Sequence, residues 1–168
     1  RGQEKISLVK TTINLFINTP KENKSNFFTS PLFIMGLLAF IILGITYKDF
    51  KNKIRSRWLD ISIYSITGII GVLLLLLWFA TDHYTTHNNY NLLWAFPLSL
   101  FFVLAISKKN PKPWLKRYVF FQILMLTLLS IHWITGIQVF TYGLIPLLIA
   151  LLVRYLYLVF YFKNTLVR

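Results

Sequence analysis

Long apolar runs alternate with short polar clusters from residue 30 to the end of the chain. The runs predict helices near residues 31–47, 59–80, 91–106, 118–135 and 142–162. Because a helix of about 17 to 25 residues crosses the hydrocarbon of a bilayer, four of these runs are long enough to span it. The third run is shorter and contains Pro97, which favours a kinked, tilted or partial span. We therefore predict an all-α integral membrane protein with a bundle of about five transmembrane helices.

The composition excludes a protein that hides its apolar residues in one soluble core. Of the 168 residues, 56% are hydrophobic and 14% are charged, whereas soluble domains carry about 25% charged residues. The tryptophans agree with the predicted helix ends, because an indole is favoured at the level of the lipid headgroups. They are Trp58, Trp78, Trp94, Trp114 and Trp133.

The basic residues predict the orientation of the bundle. The net charge is +13, but the bases lie in short clusters between apolar runs, so nucleic acid is not the predicted partner. Basic clusters occupy residues 48–57 and 108–117, whereas the loops at 81–90 and 136–141 contain no Lys or Arg. Short basic loops remain in the cytoplasm. We therefore expect a cytoplasmic C-terminus and two outward-facing loops.

Residues 1–29 form a predicted periplasmic or interfacial segment, ahead of a membrane domain at 30–168. Apolar residues recur at helical spacing within residues 3–18, which indicates an amphipathic helix on the outer membrane surface, followed by a linker. The alternative is the last helix of a folded exported domain. The bases of this segment favour the cytoplasm, and the conflict disappears if an exported domain precedes residue 1. The absence of an initiating Met agrees with that expectation.

Two features inside the predicted helices indicate packing. Thr67, Gly68 and Gly71 are small residues on the second helix, which predict close contact with a neighbouring helix; a hinge is the alternative. Arg154 lies near the middle of the fifth helix, where a charge is costly. We predict a structural intramembrane ion pair between Arg154 and Asp60, with snorkelling and ligand binding as the alternatives.

Candidate chemistry concentrates in "TDHYTTHNNYNLLWAFP", residues 81–97. His83 and His87 are four residues apart beside Asp82, so on a helix they would share a face and offer zinc ligands. A hydrogen-bonded loop with Asn91 capping the third helix and a surface that binds lipid or lipoprotein are the alternatives. His132, near the outer end of the fourth helix, is an interfacial side chain, with a catalytic base as the alternative. If the outer loops converge, it would line one outward-facing pocket with the two loop histidines.

The stretch "SRWLD", the Gly-containing leucine run after it and "FATDHYTTHNNYNLLWAFP" resemble the C-terminal membrane half of the Lnb-type envelope family of Bacteroidetes. The resemblance covers roughly residues 29–107, and the later helices match in hydropathy alone. Members of this family join a periplasmic N-terminal domain to a few transmembrane helices. The family is similar to lipoprotein N-acyltransferases whose exported domain looks like a papain-like thiol hydrolase.

The resemblance implies transfer of a fatty acyl chain from a phospholipid to the α-amine of a lipoprotein, through a Cys thiolate of the exported domain. This chain has no Cys, so no catalytic residue is carried over and we predict no activity from this chain alone. The implied partners are phospholipid, a lipoprotein substrate and an upstream periplasmic domain of the same polypeptide. The implied location is a bacterial inner membrane, with the N-terminus in the periplasm.

The resemblance also favours the lipid-binding interpretation of the outer loop. The residues that we expect to face lipid or substrate are Asp82, His83, His87, Asn88, Asn91, Trp94 and His132. We predict no metal, because the loop histidines lie in a stretch rich in Thr and Asn, which favour turns and caps. We predict no cofactor, because haem would need paired axial ligands inside the helices and only His132 is placed there. A non-catalytic accessory or structural subunit of a larger inner-membrane complex is the alternative function. A transporter is disfavoured because the chain shows no convincing internal repeat.

Overall fold

The computed structural model describes residues 27–80, 88–109 and 112–166, with side chains to residue 164. In chain order the helices are α1 (Pro31–Asn52), α2 (Arg57–Phe79), α3 (Ser99–Ile106), α4 (Pro113–Ile134) and α5 (Ile145–Leu166). Single 3-10 turns occur at Phe27–Thr29, Tyr90–Leu93 and Tyr142–Leu144. No strand occurs among the described residues, and the all-α prediction is confirmed. The predicted amphipathic helix at 3–18 lies outside the described residues.

The first helix shows how local sequence sets its two ends. The Ser30 hydroxyl accepts the Phe33 N–H at 3.2 Å, and Pro31 occupies the first turn, where its missing N–H costs nothing. At the other end Lys53 adopts a left-handed conformation with φ 54° and stops the helix. The helix therefore runs past the predicted end at residue 47. The apolar run ends at residue 47, but the lysines that follow extend into the headgroup region without interrupting the helical hydrogen bonds.

Four helical segments are long and apolar enough to cross a membrane: Pro31–Asn52, Arg57–Phe79, Pro113–Ile134 and Tyr142–Asn164. Large apolar side chains cover their outer surfaces, and Phe40, Phe79 and Ile134 are each at least 75% exposed. Apolar exposure on this scale requires a hydrocarbon environment. The chain is a multi-pass membrane protein.

The third segment differs from the single helix predicted at 91–106. It consists of a 3-10 turn at Tyr90–Leu93, an irregular stretch and the eight-residue helix α3. Pro97 explains the difference, since it lacks an N–H and disfavours helical backbone in the residue before it. A helix of eight residues is only about 12 Å long, so α3 by itself does not span the bilayer.

Although it is broken, the third segment runs from one end of the bundle to the other beside α4. Rings of the two elements pair along this path, and the centroid distances are 4.7 Å for Tyr90–His132, 5.1 Å for Phe96–Phe121 and 5.3 Å for Phe102–Trp114. The order of these pairs makes the two elements antiparallel. The chain therefore passes through the bundle five times.

Two glycines of α2 allow the irregular stretch to pack at backbone distance. A Cβ atom at Gly71 would lie 2.1 Å from the Ala95 carbonyl oxygen, and one at Gly68 would lie 2.5 Å from the Leu100 nitrogen. The close contact predicted for these glycines is present. Ala95 and Pro97 are buried there, as irregular backbone at membrane depth must be.

The two ends of the bundle differ in charge. All described Lys and Arg residues except Arg154 lie at the end formed by residues 48–57, 108–117 and 163, here called the basic end. The opposite end has no Lys or Arg among the described residues and is here called the base-free end. It contains the first turn of α1 and the loop before α5, where Gly143 packs against Leu32. At the basic end Phe50 lies against Phe160. Hence α1 and α5 are antiparallel, and the start of α1 and the end of α5 lie at opposite ends.

Candidate functional site

Four of the seven predicted outer-loop residues are described. Asn88, Asn91, Trp94 and His132 all lie at the base-free end, whereas Asp82, His83 and His87 lie outside the described residues. Among the described residues, no three His, Asp or Glu side chains come together in a way that would hold a metal ion.

Asn91 does not cap the third helix as predicted. Asn89 begins the 3-10 turn instead, and its side chain accepts the Asn91 N–H at 3.1 Å and the Asn91 side-chain amide at 2.8 Å. The side-chain oxygen of Asn91, Oδ1, in turn accepts the Trp94 indole N–H at 2.8 Å. Because Pro97 delays α3 to Ser99, Asn91 is too far along the chain to cap it. This chain of hydrogen bonds orients Trp94.

His132 and Gln138 connect this turn to the end of α4. The His132 ring lies against Tyr90, and its Nδ1 is 2.8 Å from the Leu128 carbonyl oxygen. The Gln138 side-chain oxygen accepts the Tyr90 N–H at 2.8 Å. We call Tyr90, Asn91, Trp94, His132 and Gln138 the polar rim. Tyr90 and Gln138 were missed by sequence reasoning, because no local pattern pairs residues 48 positions apart.

Replacing Gln138 with alanine tests how the rim is held together. The variant leaves the Tyr90 N–H without its acceptor, which costs about 1 kcal/mol and lowers the melting temperature by about 2–4 °C. Gln138→Glu keeps an acceptor oxygen and serves as the control. Thermal unfolding in detergent measures both. Equal melting temperatures for the alanine variant and the parent chain would contradict this role of Gln138.

A second group of polar side chains is buried near the basic end. Arg154 of α5 is fully buried, with Nη1 2.7 Å from Asp49 Oδ2 of α1 and its guanidinium 2.8 Å from Asp60 Oδ1 of α2. Arg154 therefore does not snorkel to the surface. Sequence reasoning paired it with Asp60 and missed Asp49, because the predicted α1 ended before that residue.

Arg55 balances the charge of this group. Its Nε lies 2.7 Å from Asp60 Oδ2, and its guanidinium also donates to the Ile106 carbonyl oxygen at the end of α3. Two arginines thus face two aspartates. We call Asp49, Arg55, Asp60 and Arg154 the ionic cluster.

The remaining polar atoms of the ionic cluster are satisfied by neighbours. Ser56 donates its backbone N–H and its hydroxyl to Asp49, at 2.8 and 2.7 Å. The Ser56 carbonyl oxygen accepts from Arg154 at 3.2 Å, and the Tyr157 hydroxyl donates to the Asp49 carbonyl oxygen at 3.1 Å. A buried ion pair is tolerated only when its lone pairs and protons are used in this way. The cluster connects four helices and leaves no carboxylate oxygen without a partner.

A smaller buried network fixes the start of α3. The Ser99 hydroxyl is 3.0 Å from the Tyr118 hydroxyl and accepts from the Gln122 side-chain amide at 2.7 Å. All three side chains are buried. They attach the break in the third segment to α4.

The bundle is thus a five-pass helical membrane domain with a polar rim at one end and an ionic cluster near the other. A family model described as the Lnb transmembrane domain matches residues 21–165. The chain belongs to this family, and the resemblance stated above is confirmed. No curated protein and no solved structure matches the chain.

Proposed function

We propose that this membrane domain anchors and orients an exported lipoprotein N-acyltransferase-like domain at the outer leaflet of a bacterial inner membrane. In this proposal it also helps to present phospholipid and lipoprotein to that domain. One observation carries the proposal: the chain enters the bundle at the same end as the polar rim. A domain attached ahead of α1 therefore lies next to the rim.

The entry to α1 is built to rest at a membrane surface. Phe27 and Phe28 are 68% and 72% exposed, and both rings pack around Phe33 at centroid distances of 5.2 and 5.3 Å. Exposed phenyl rings just ahead of a membrane helix partition into the bilayer rather than into water. They hold the point of attachment at a fixed depth.

The distribution of Lys and Arg residues supports the proposed orientation of the bundle in the membrane. Short basic segments remain cytoplasmic, so the basic end is assigned to the cytoplasm and the polar rim to the periplasm. The rim offers amide, phenol, indole and imidazole groups but no Lys or Arg side chain. Such polar groups hydrogen-bond to ester and phosphate oxygens, and they suit a substrate that must be released again.

The test uses the natural polypeptide that contains these residues and measures N-acylation of a lipoprotein by mass spectrometry of its N-terminal peptide. We expect the combined substitutions Trp94→Phe and His132→Ala to lower acylation about tenfold, because small displacements of a bound substrate are costly for reaction. Trp58→Phe, at the exposed basic end, is the matched control.

Protein abundance and melting temperature are measured for all variants, so that loss of folding is separated from loss of activity. Unchanged acylation in a folded rim variant would contradict a role of the rim in presenting substrate.

A further inference from the structure

We propose that a groove at the basic end binds an anionic phospholipid of the adjacent leaflet. The groove lies between the end of α3 and the start of α4 and has a volume of about 300 Å³. Its lining includes Phe101, Leu104, Lys108, Lys112 and Trp114. We call it the α3–α4 groove.

One part of the groove matches an acyl chain. Phe101 and Leu104 lie one turn apart on α3 and are 74% and 77% exposed. Side chains this apolar face hydrocarbon in a membrane domain. Trp114 stands near the basic end, with its ring 5.3 Å from Phe102, at the depth where an indole meets lipid headgroups.

The mouth of the groove matches an anion. Lys108 and Lys112 are both exposed and both line it. The described segments contain only two acids, Asp49 and Asp60, and both are paired with arginines in the ionic cluster. No described carboxylate is therefore left to neutralise the two lysines.

Arg57 adds a further positive charge near the end of α3, beside the α3–α4 groove. Its guanidinium donates to the Ser107 carbonyl oxygen at 3.3 Å, at the end of α3. Each basic residue near a membrane surface strengthens the attraction to anionic lipid. Charge and apolar shape together select a molecule with an anionic head and a hydrocarbon tail.

Two other grooves fit this ligand less well. The groove between α1 and α5 is larger, about 510 Å³, but its lining, from Leu43 to Phe160, contains no charged side chain. It accommodates hydrocarbon without selecting a headgroup. The groove beside Lys116 and Arg117 carries two bases, but it has neither a tryptophan nor the long apolar wall of α3.

The experiment titrates the purified full chain in detergent with dioleoylphosphatidylglycerol or dioleoylphosphatidylcholine and counts bound lipids by native mass spectrometry. We expect the first phosphatidylglycerol to bind roughly 10- to 30-fold more tightly than phosphatidylcholine, the contribution expected of two lysines. The double variant Lys108→Gln with Lys112→Gln removes most of that preference.

Two matched double variants remove the same charge elsewhere at the basic end. One combines Lys48→Gln with Lys51→Gln on α1, and the other combines Lys116→Gln with Arg117→Gln in the rival groove. The Lys48→Gln and Lys51→Gln variant should change the preference by less than about threefold, since distant surface charges are largely screened. The Lys116→Gln and Arg117→Gln variant should lose less of the preference than the Lys108→Gln and Lys112→Gln variant, because its side chains line the other groove.

Three results would overturn the proposal. Equal affinities of the parent chain for the two lipids would remove the preference, and equal losses in all three double variants would show diffuse attraction instead of a site. A stable dimer that protects Lys108 and Lys112 from amine labelling would show that a second copy of the chain, and not a lipid, occupies the groove. The groove and the polar rim lie at opposite ends, so this test does not depend on the proposed function.

Discussion

Replacing Arg154 with methionine is expected to lower the free energy of unfolding by about 3–5 kcal/mol, because it leaves a buried carboxylate without its partner. Both aspartates lose a hydrogen-bonded charge in this variant, and Arg55 compensates only for Asp60. We expect the melting temperature in detergent to fall by about 10 °C. Lys163→Met, on the exposed end of the same helix, is the matched control and should remain close to the parent chain.

A second substitution separates charge balance from simple loss of contacts. Asp49→Asn added to Arg154→Met removes the unpaired charge, while the Arg55–Asp60 pair remains. The double variant should therefore be more stable than Arg154→Met alone, although it has lost more native groups. A double variant that is less stable than the single one would contradict a structural role based on charge pairing.

The second large effect is expected at Gly71. Its substitution by alanine places a Cβ 2.1 Å from the Ala95 carbonyl oxygen and 2.7 Å from the Pro97 nitrogen. Backbone atoms on both sides cannot move as a flexible side chain would. We expect a loss of about 3 kcal/mol, at the upper end of the usual cost of overpacking, measured as thermal unfolding of the purified chain.

Gly44 provides the control for this prediction, since a Cβ there would have nothing within 4 Å. Gly44→Ala in α1 should leave stability unchanged or raise it by up to about 1 kcal/mol, the difference in helix propensity. If both alanine variants have the same melting temperature, the third segment does not pack against α2 as described.

Much of the fold follows from hydropathy. The four long helices coincide with four apolar runs, because a helix that must satisfy all its backbone groups in hydrocarbon leaves a run of about 20 apolar residues. The break near Pro97 was also visible in the sequence. The actual path of residues 90–98 was not, because it depends on Gly68 and Gly71 of another helix.

Only half of the ionic cluster could be predicted from the sequence. Arg154 and Asp60 stand out as charges within or beside apolar runs, which is the sequence signal for a buried pair. Asp49 and Arg55 lie among the lysines of a basic loop, where charged residues are normally solvated. Their burial results from α1 continuing past its apolar part and turning sharply at Lys53.

Three residues of the polar rim, Asn91, Trp94 and His132, were named from local composition, whereas Tyr90 and Gln138 were not. Trp94 and His132 were expected at an interface. The 3-10 turn positions Asn91 as the hydrogen-bond partner of Trp94 and Tyr90 as the ring partner of His132. Gln138, which accepts the Tyr90 N–H, lies in the loop before α5. Neither periodicity nor hydropathy carries that information.

The ionic cluster at the basic end and the position of the polar rim together explain how the rim would be held in the proposed function. The ionic cluster joins α1, α2, α3 and α5 near the cytoplasmic side of the proposed orientation. In the proposed function, an exported domain attaches at the other side. A bundle fixed at one end holds the opposite rim at constant depth. The proposed function uses such a fixed surface to bring lipid and lipoprotein to the acyltransferase-like domain.

The most direct test replaces residues 27–166 of the natural polypeptide with an unrelated single transmembrane helix that keeps the preceding residues exported. Lipoprotein N-acylation is then measured at equal protein abundance. We expect acylation to fall at least tenfold, because in the proposed function the exported part would remain anchored but lose its orientation and the polar rim. Acylation equal to that of the parent protein would contradict the proposal, since any anchor would then suffice.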